Sequence, residues 1–286
     1  MQNYIIVTDS GSDLTKEWAK EIDVKVIDLA VSIEGAEPVA DSKIDPKELY
    51  AMLRDKKSAS TSAINIEDFT RAATPFLEEG KDILYLGFSS GLSSTYSSGH
   101  IAAEELSEKY PDRKIYTVDT LCASLGQGLL VYLAAQLRAN GASIEEVRDF
   151  AESNKLNLCH WFTVDDLVYL KRGGRVSPTV AFVGGLLGIK PIMHVDNEGH
   201  LIKVGTVRGR KAALKAIVEK YGETALDKNG KIFISHGDCI DDANEVADMI
   251  KETYGTEVEL ITDVGAVIGS HSGPGTFAFF YLGKER

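Results

Sequence analysis

Four short apolar runs, each ending in a polar turn and followed by a helical pattern, constrain the first half of this chain more than any other feature. They cover residues 4–7, 24–33, 83–88 and 115–118. Strands that are apolar along their whole length, rather than alternately, are buried on both faces. Helical patterns fall between them. Asp13 caps a helix to about residue 21, Asp45-Pro46 opens one to about 55, and Asn65 with Asp68 forms a capping box for one to about 79. Ser93 or Ser94 opens the next, to about 110. A long apolar helix is predicted over 121–140, and Ser143 caps another to about 155. Buried strands alternating with helices predict a parallel, doubly wound α/β sheet.

The pattern changes near residue 158. Residues 159–164 read as a strand, and a glycine-rich stretch follows. Runs at 189–195 and 201–207 flank Asp196-Asn197-Glu198-Gly199, which reads as a hairpin turn. Helices over about 209–221 and 242–254 alternate with strands over 232–235, 258–262 and 277–282. Hairpins mixed with helices predict an α+β domain with a mixed sheet. The expected division is an N-terminal α/β domain over 1–157 and a C-terminal domain over 158–286.

Composition excludes several function classes. The chain has 286 residues, enough for two domains, and 44% are hydrophobic, enough for real cores. Its net charge is −12, which argues against nucleic acid and against anionic membrane surfaces as partners. Three cysteines without a C-x-x-C spacing argue against a disulfide framework or a structural zinc site. No stretch approaches the ~20 apolar residues of a membrane span. The first residues lack a charged, then apolar, leader, so a cytoplasmic protein is expected. The phosphate-binding glycine patterns of the standard nucleotide folds are absent, and the six histidines are scattered.

Open α/β sheets bind ligands at loops leaving the carboxyl ends of their strands. The polar clusters fall there: Thr8-Asp9-Ser10, Ser89-Ser90-Gly91 and Asp119-Thr120. Ser93-Ser94-Thr95 adds hydroxyls at a helix start, which suits a carboxylate or phosphate. Thr61-Ser62 is either another anion-binding pair or a plain helix lead-in. Gly87-Phe88-Ser89-Ser90-Gly91 also matches the G-x-S-x-G nucleophile elbow, and His271 lies downstream, so a serine hydrolase built on Ser89 is a rival reading. Against it, Gly91-Leu92 separates the serine from the helix, and no HGGG-type oxyanion loop precedes it. His271 lies within Gly269-Ser270-His271-Ser272-Gly273-Pro274-Gly275, which reads as a tight loop around either a ligand or a structural histidine. Two basic elements remain: Lys171-Arg172-Gly173-Gly174-Arg175, read as a turn, and Arg208-Gly209-Arg210-Lys211.

Taken together, these segments resemble the DegV family. The resemblance rests on Val7-Thr8-Asp9-Ser10-Gly11-Ser12-Asp13-Leu14, on Thr61-Ser62 followed by Glu67-Asp68-Phe69, and on Ser89-Ser90-Gly91-Leu92-Ser93-Ser94-Thr95-Tyr96. It continues through Tyr169-Leu170-Lys171-Arg172-Gly173-Gly174-Arg175, Gly188-Ile189-Lys190-Pro191-Ile192, Arg208-Gly209-Arg210 and His271-Ser272-Gly273-Pro274-Gly275. Ala63-Ile64 stands where the family usually has Gln-Pro. The resemblance implies a two-domain fold with a long-chain fatty acid between the domains and no other cofactor. It implies that the carboxylate sits on Thr61 and Ser93, with Ser62, Ser94 and His271 close by. It implies a carrier rather than an enzyme, one that serves a separate fatty acid kinase subunit. In that setting Arg175 and Arg208 are expected to flank the carboxylate and support docking. The apolar segments 121–137 and 181–187 are expected to wall the tunnel. A third reading, a phosphotransferase subunit, follows from a similarity to the dihydroxyacetone kinase fold, but the covalent histidine of those enzymes has no clear counterpart here.

Overall fold

The computed structural model describes residues 3–177 and 188–286. The expected wall segment 181–187 lies outside the described residues. In the first half, β1 (Tyr4–Asp9), β2 (Val24–Ile27), β6 (Asp82–Gly87) and β7 (Ile115–Asp119) form a parallel sheet in the order β2-β1-β6-β7. Successive residues of its central strands feed two different cores. Ile5, Val7, Ile83 and Tyr85 face one, and Tyr4, Ile6, Leu84 and Leu86 face the other. This is why the runs are apolar throughout. Helices α2 (Pro46–Arg54), α3 (Ile66–Glu78) and α4 (Thr95–Lys109) contribute to the first core.

The run 24–33 is not one strand. It breaks after Ile27, and β3 (Ala30–Ile33) leaves to pair antiparallel with β4 (Val39–Ala40) and β5 (Ala59–Ser62) in a separate small sheet. Thr15, not Asp13, caps the first helix, α1 (Lys16–Glu21). Asp13 is instead left-handed, with φ 52°, and is used elsewhere. The predicted capping box of Asn65 with Asp68 is present on α3, and the predicted Ser143 cap of α6 (Ile144–Asn154) is completed into a second box by Glu146.

The second half holds a mixed six-stranded sheet in the order β10-β9-β8-β13-β11-β12. Its strands are β8 (Leu158–Thr163), β9 (Ile189–Val195), β10 (Leu201–Arg208), β11 (Ile232–His236), β12 (Leu260–Asp263) and β13 (Phe277–Leu282). Strands β11 and β12 pair in parallel, and the other described pairings are antiparallel. One face packs on α8 (Arg210–Thr224) and α9 (Ile240–Tyr254). The other shares a core with the parallel sheet, and α5 (Ser124–Ala139) lies between them. Helix α5 is apolar because both of its sides are covered. The expected boundary at 157/158 coincides with the start of β8, yet this core crosses it. Two short helices complete the described elements used here: α7 (Val168–Arg172) and α10 (Ala266–Ser272).

Candidate functional site

The loops leaving β6 and β7 meet α10 and the inner face of the mixed sheet around a cavity of about 270 Å³. Most of its wall is apolar: Leu29, Phe88, Leu92, Val195, Leu201 and Phe280 are representative. The start of α5 (Ala123 and Ser124) also lines it, which places only the first turn of the expected helix 121–137 on the wall.

Several of its polar groups come from β5, the loop after β6 and α10, while Ser124, His160 and Thr276 line it as well. Thr61 Oγ1 lies 2.7 Å from His271 Nε2. Burial and the neighbouring Arg175 push the His271 pKa down to about 4, so the ring is neutral near pH 7. With Nε2 as the donor, the Thr61 hydroxyl proton is free to point into the cavity. The ring packs against Gly173, where an added Cβ would meet Nδ1 at 2.1 Å, so no larger residue fits there. Ser93 accepts from the Thr95 amide at 3.2 Å and donates to Thr95 Oγ1 at 2.9 Å. Its hydroxyl must rotate to serve a ligand, a small rearrangement. Ser94 lines the cavity as well, at its exposed rim.

Arg175 ties the two sides together. Nε and a terminal nitrogen donate to the Leu92 carbonyl at 3.2 and 2.9 Å, and the other terminal nitrogen donates to the Gly173 carbonyl. The cation therefore sits beside His271, partly desolvated and fixed. A second, polar hollow of about 390 Å³ lies against the first. It is lined by Ser32, Glu34, Ser58, Ser60, Arg172 and Ser270 among others. Thr61, Arg175 and His271 line both hollows and so form the wall between them.

The sequence-predicted residues thus divide. Thr61, Ser93, Ser94, His271 and Arg175 come together. Ser62 is exposed on β5 and lines neither hollow, because adjacent strand residues point to opposite faces. Arg208 is exposed at the end of β10 and lines neither hollow, so it does not flank this polar end. His271 lies in a helix, not a loop, and the first basic element is the end of α7 rather than a bare turn.

Ser89 is not a nucleophile elbow. It is fully buried, donates to the Gly199 carbonyl at 2.9 Å and accepts from the Gly91 amide at 3.2 Å. The β9–β10 turn covers it so closely that a Cβ on Gly199 would come within 2.1 Å of Oγ. Helix α4 begins only at Thr95, and His271 is engaged with Thr61. Sequence reasoning missed Ser272, whose buried hydroxyl lines the cavity wall without a hydrogen-bond partner among the described residues. It sits beside His271, and only its place on a helix would have revealed it. Among the described residues no helix is long and apolar enough to cross a membrane.

Comparison with known proteins gives one consistent picture. Residues 3–284 match the family described as "Uncharacterised protein, DegV family". The chain is 46% identical to a DegV domain-containing protein of Clostridium perfringens, covering 100% of this chain and 99% of the relative. It is 35% identical to a protein of Thermotoga maritima named "Fatty acid-binding protein", with 98% of each chain covered. Among solved structures, it is similar to one from Thermus thermophilus described as "Fatty Acid Binding of a DegV family Protein". That match has a TM-score of 0.88 at 34% identity and covers 98% of this chain and 100% of the other.

Proposed function

The chain belongs to the DegV family, and on that premise we propose that it binds a long-chain fatty acid and hands its carboxylate to a separate kinase subunit. One observation carries the reading: a mostly apolar cavity in whose wall Thr61 and His271 are bonded to each other, with the hydroxyls of Ser93 and Ser94 on the same lining. That arrangement suits an amphipathic molecule with a long tail and a small hydrogen-bonding head. Burying ~14 methylenes contributes about 11 kcal/mol gross, and ordering losses offset several kcal/mol of it. Affinity then needs no tight charge pair at the head. Neutral hydroxyl donors suffice, with Arg175 behind them.

In this reading the units 1–157 and 158–286 close on the ligand, and the polar hollow beyond Thr61 and His271 is the side from which the carboxylate is reached. The protein supplies no nucleophile and acts as a carrier. Its partner brings the phosphoryl donor and forms the acyl phosphate. The test is native mass spectrometry of purified protein, followed by solvent extraction and titration of the emptied protein with palmitate. A co-purifying fatty acid and saturable stoichiometric binding are expected. Emptied, folded protein that fails to bind palmitate, oleate or stearate would overturn the reading.

A further inference from the structure

We infer that Asp13 and Asp41 are positioning residues for the head-group end: together they hold the N-terminus of α10 so that His271, at its other end, meets Thr61. The inference rests on the fatty acid reading for the identity of the ligand. Asp13 Oδ1 accepts from the Gly265 amide at 3.1 Å, and Asp41 Oδ1 accepts from the Val267 amide at 3.1 Å. Helix α10 is only seven residues long and has no side-chain cap of its own. A helix that short does not persist on propensity, and its free N-terminal amides need acceptors. Both acceptors come from more than 200 positions away in sequence.

Each acid is itself held. Ser124 Oγ donates to Asp13 Oδ2 at 2.5 Å and lies 2.9 Å from Ser235 Oγ. Ser10 bonds the Asp41 carboxyl and accepts from the Leu29 amide. Ser124 and Leu29 both line the cavity, so the network that fixes α10 also fixes two points of the wall.

Two costs mark the network as more than packing. Asp13 and Ser124 are left-handed, with φ 52° and 53°, a strained conformation for residues with a side chain. Both carboxyls are buried, at 8% exposure, and no cation among the described residues pairs with either. Burial raises the Asp13 pKa well above the usual range and Asp41 to about 6. The other titratable groups facing them add no relief: Asp28, Asp263 and Tyr50 are acids or a phenol, and Lys16 is turned to the Ser42 carbonyl at the rim. A carboxyl whose folded pKa is raised makes the fold less stable as pH rises through that value. These acids therefore cost stability at neutral pH, yet they hold the helix that carries His271.

The test is Asp41→Asn, with Asp13→Asn as the second variant, compared with wild type for palmitate affinity and for unfolding temperature of the emptied protein. An amide keeps the shape but offers one acceptor oxygen where the carboxylate offers two. At pH 7.5 the expected result is palmitate binding about tenfold weaker with an unfolding temperature a few degrees higher. The gain in unfolding temperature shrinks as the pH falls below about 6 and is gone only below about pH 4, where Asp41 is protonated in the unfolded chain as well. Affinity unchanged in both variants overturns the inference, and so does a joint fall of affinity and unfolding temperature, which marks a purely structural role. Failure of wild type to bind palmitate is a different outcome and sinks the fatty acid reading instead.

Discussion

The two hollows that meet at Thr61, Arg175 and His271 are built from different materials. The inner one is walled by Phe88, Leu92, Leu201 and Phe280, and the outer one by serines, Glu34 and Arg172. The inner walls come from strands and helix starts locked into the cores, while β5 and the end of α7 contribute much of the outer one. In the proposed reading, the contrast is how a carrier holds a greasy molecule and still shows its reactive end: tail burial supplies the free energy, the three shared side chains set the depth, and the polar side leaves the head reachable.

The comparison breaks most severely if the inner hollow is filled. Ala278 lines it from β13, opposite Phe162. Ala278→Phe takes the space of several methylenes. Excluding four of them removes about 3 kcal/mol, roughly a hundredfold in affinity. Calorimetric titration with palmitate should show that loss. Overpacking itself costs about 1–3 kcal/mol of stability, so the unfolding temperature falls moderately but the protein remains folded. Undiminished binding would mean that the tail lies elsewhere.

The shared wall comes next. Thr61→Val keeps the shape and removes the hydroxyl that His271 orients. A lost hydrogen bond to a charged group costs about 1.5–3 kcal/mol, so affinity should fall roughly ten- to a hundredfold. Ser93→Ala should fall at the lower end of that range, because its proton is already used by Thr95 in the empty protein. Neither change should lower the unfolding temperature of the empty protein by much. Equal affinity of both variants and wild type would remove the head group from this wall.

His271 sharpens the same point through pH. Its pKa is depressed to about 4, so the unfolded chain takes up this proton first as the solution is acidified. It costs no stability above pH ~6.5, and stability is lost progressively as pH falls from there toward 4. His271→Phe should therefore lose less unfolding temperature than wild type between pH 7 and 4.5. It should also bind palmitate several-fold more weakly at pH 7.5, since Thr61 loses its partner. A parallel pair of pH curves would show that the ring is more solvated than its surroundings imply.

Much of this was legible in the sequence, and the parts that were not share a cause. The apolar run of β6, the Asn65–Asp68 capping box, the Ser143 cap and the hydroxyl-rich loop after β6 are local signals, and each appears where the pattern puts it. The partners of Thr61 and His271 are not local. Residues 59–62 form a strand by pairing with β3, and at the start of 266–272 the Gly265 and Val267 amides are taken by Asp13 and Asp41, more than 200 positions away. The break at Asp28 and Leu29 was hidden for the same reason: Leu29 bonds Ser10, and the chain changes sheets. The G-x-S-x-G match misled because a motif states residue types and not what covers them; here the β9–β10 turn does.

The smallest expected effect separates the two arginines that the sequence grouped together. Arg175 belongs to the shared wall. It crosses from α7's end to the Leu92 carbonyl and stands beside His271. Arg208 is exposed at the end of β10 and lines neither hollow. Removing Arg175 takes away hydrogen bonds that hold the loop before Ser93, so Arg175→Ala should weaken palmitate binding a few-fold and slow acyl phosphate formation by a cognate kinase subunit. Arg208→Ala should leave palmitate affinity unchanged. Any loss it shows should be confined to the kinase assay and should shrink as salt rises, because an exposed cation on a chain of net charge −12 acts on a partner through a screened field. Equal effects of the two variants on palmitate affinity would mean that the polar end extends to β10, and the contrast between the two hollows would then have to be redrawn.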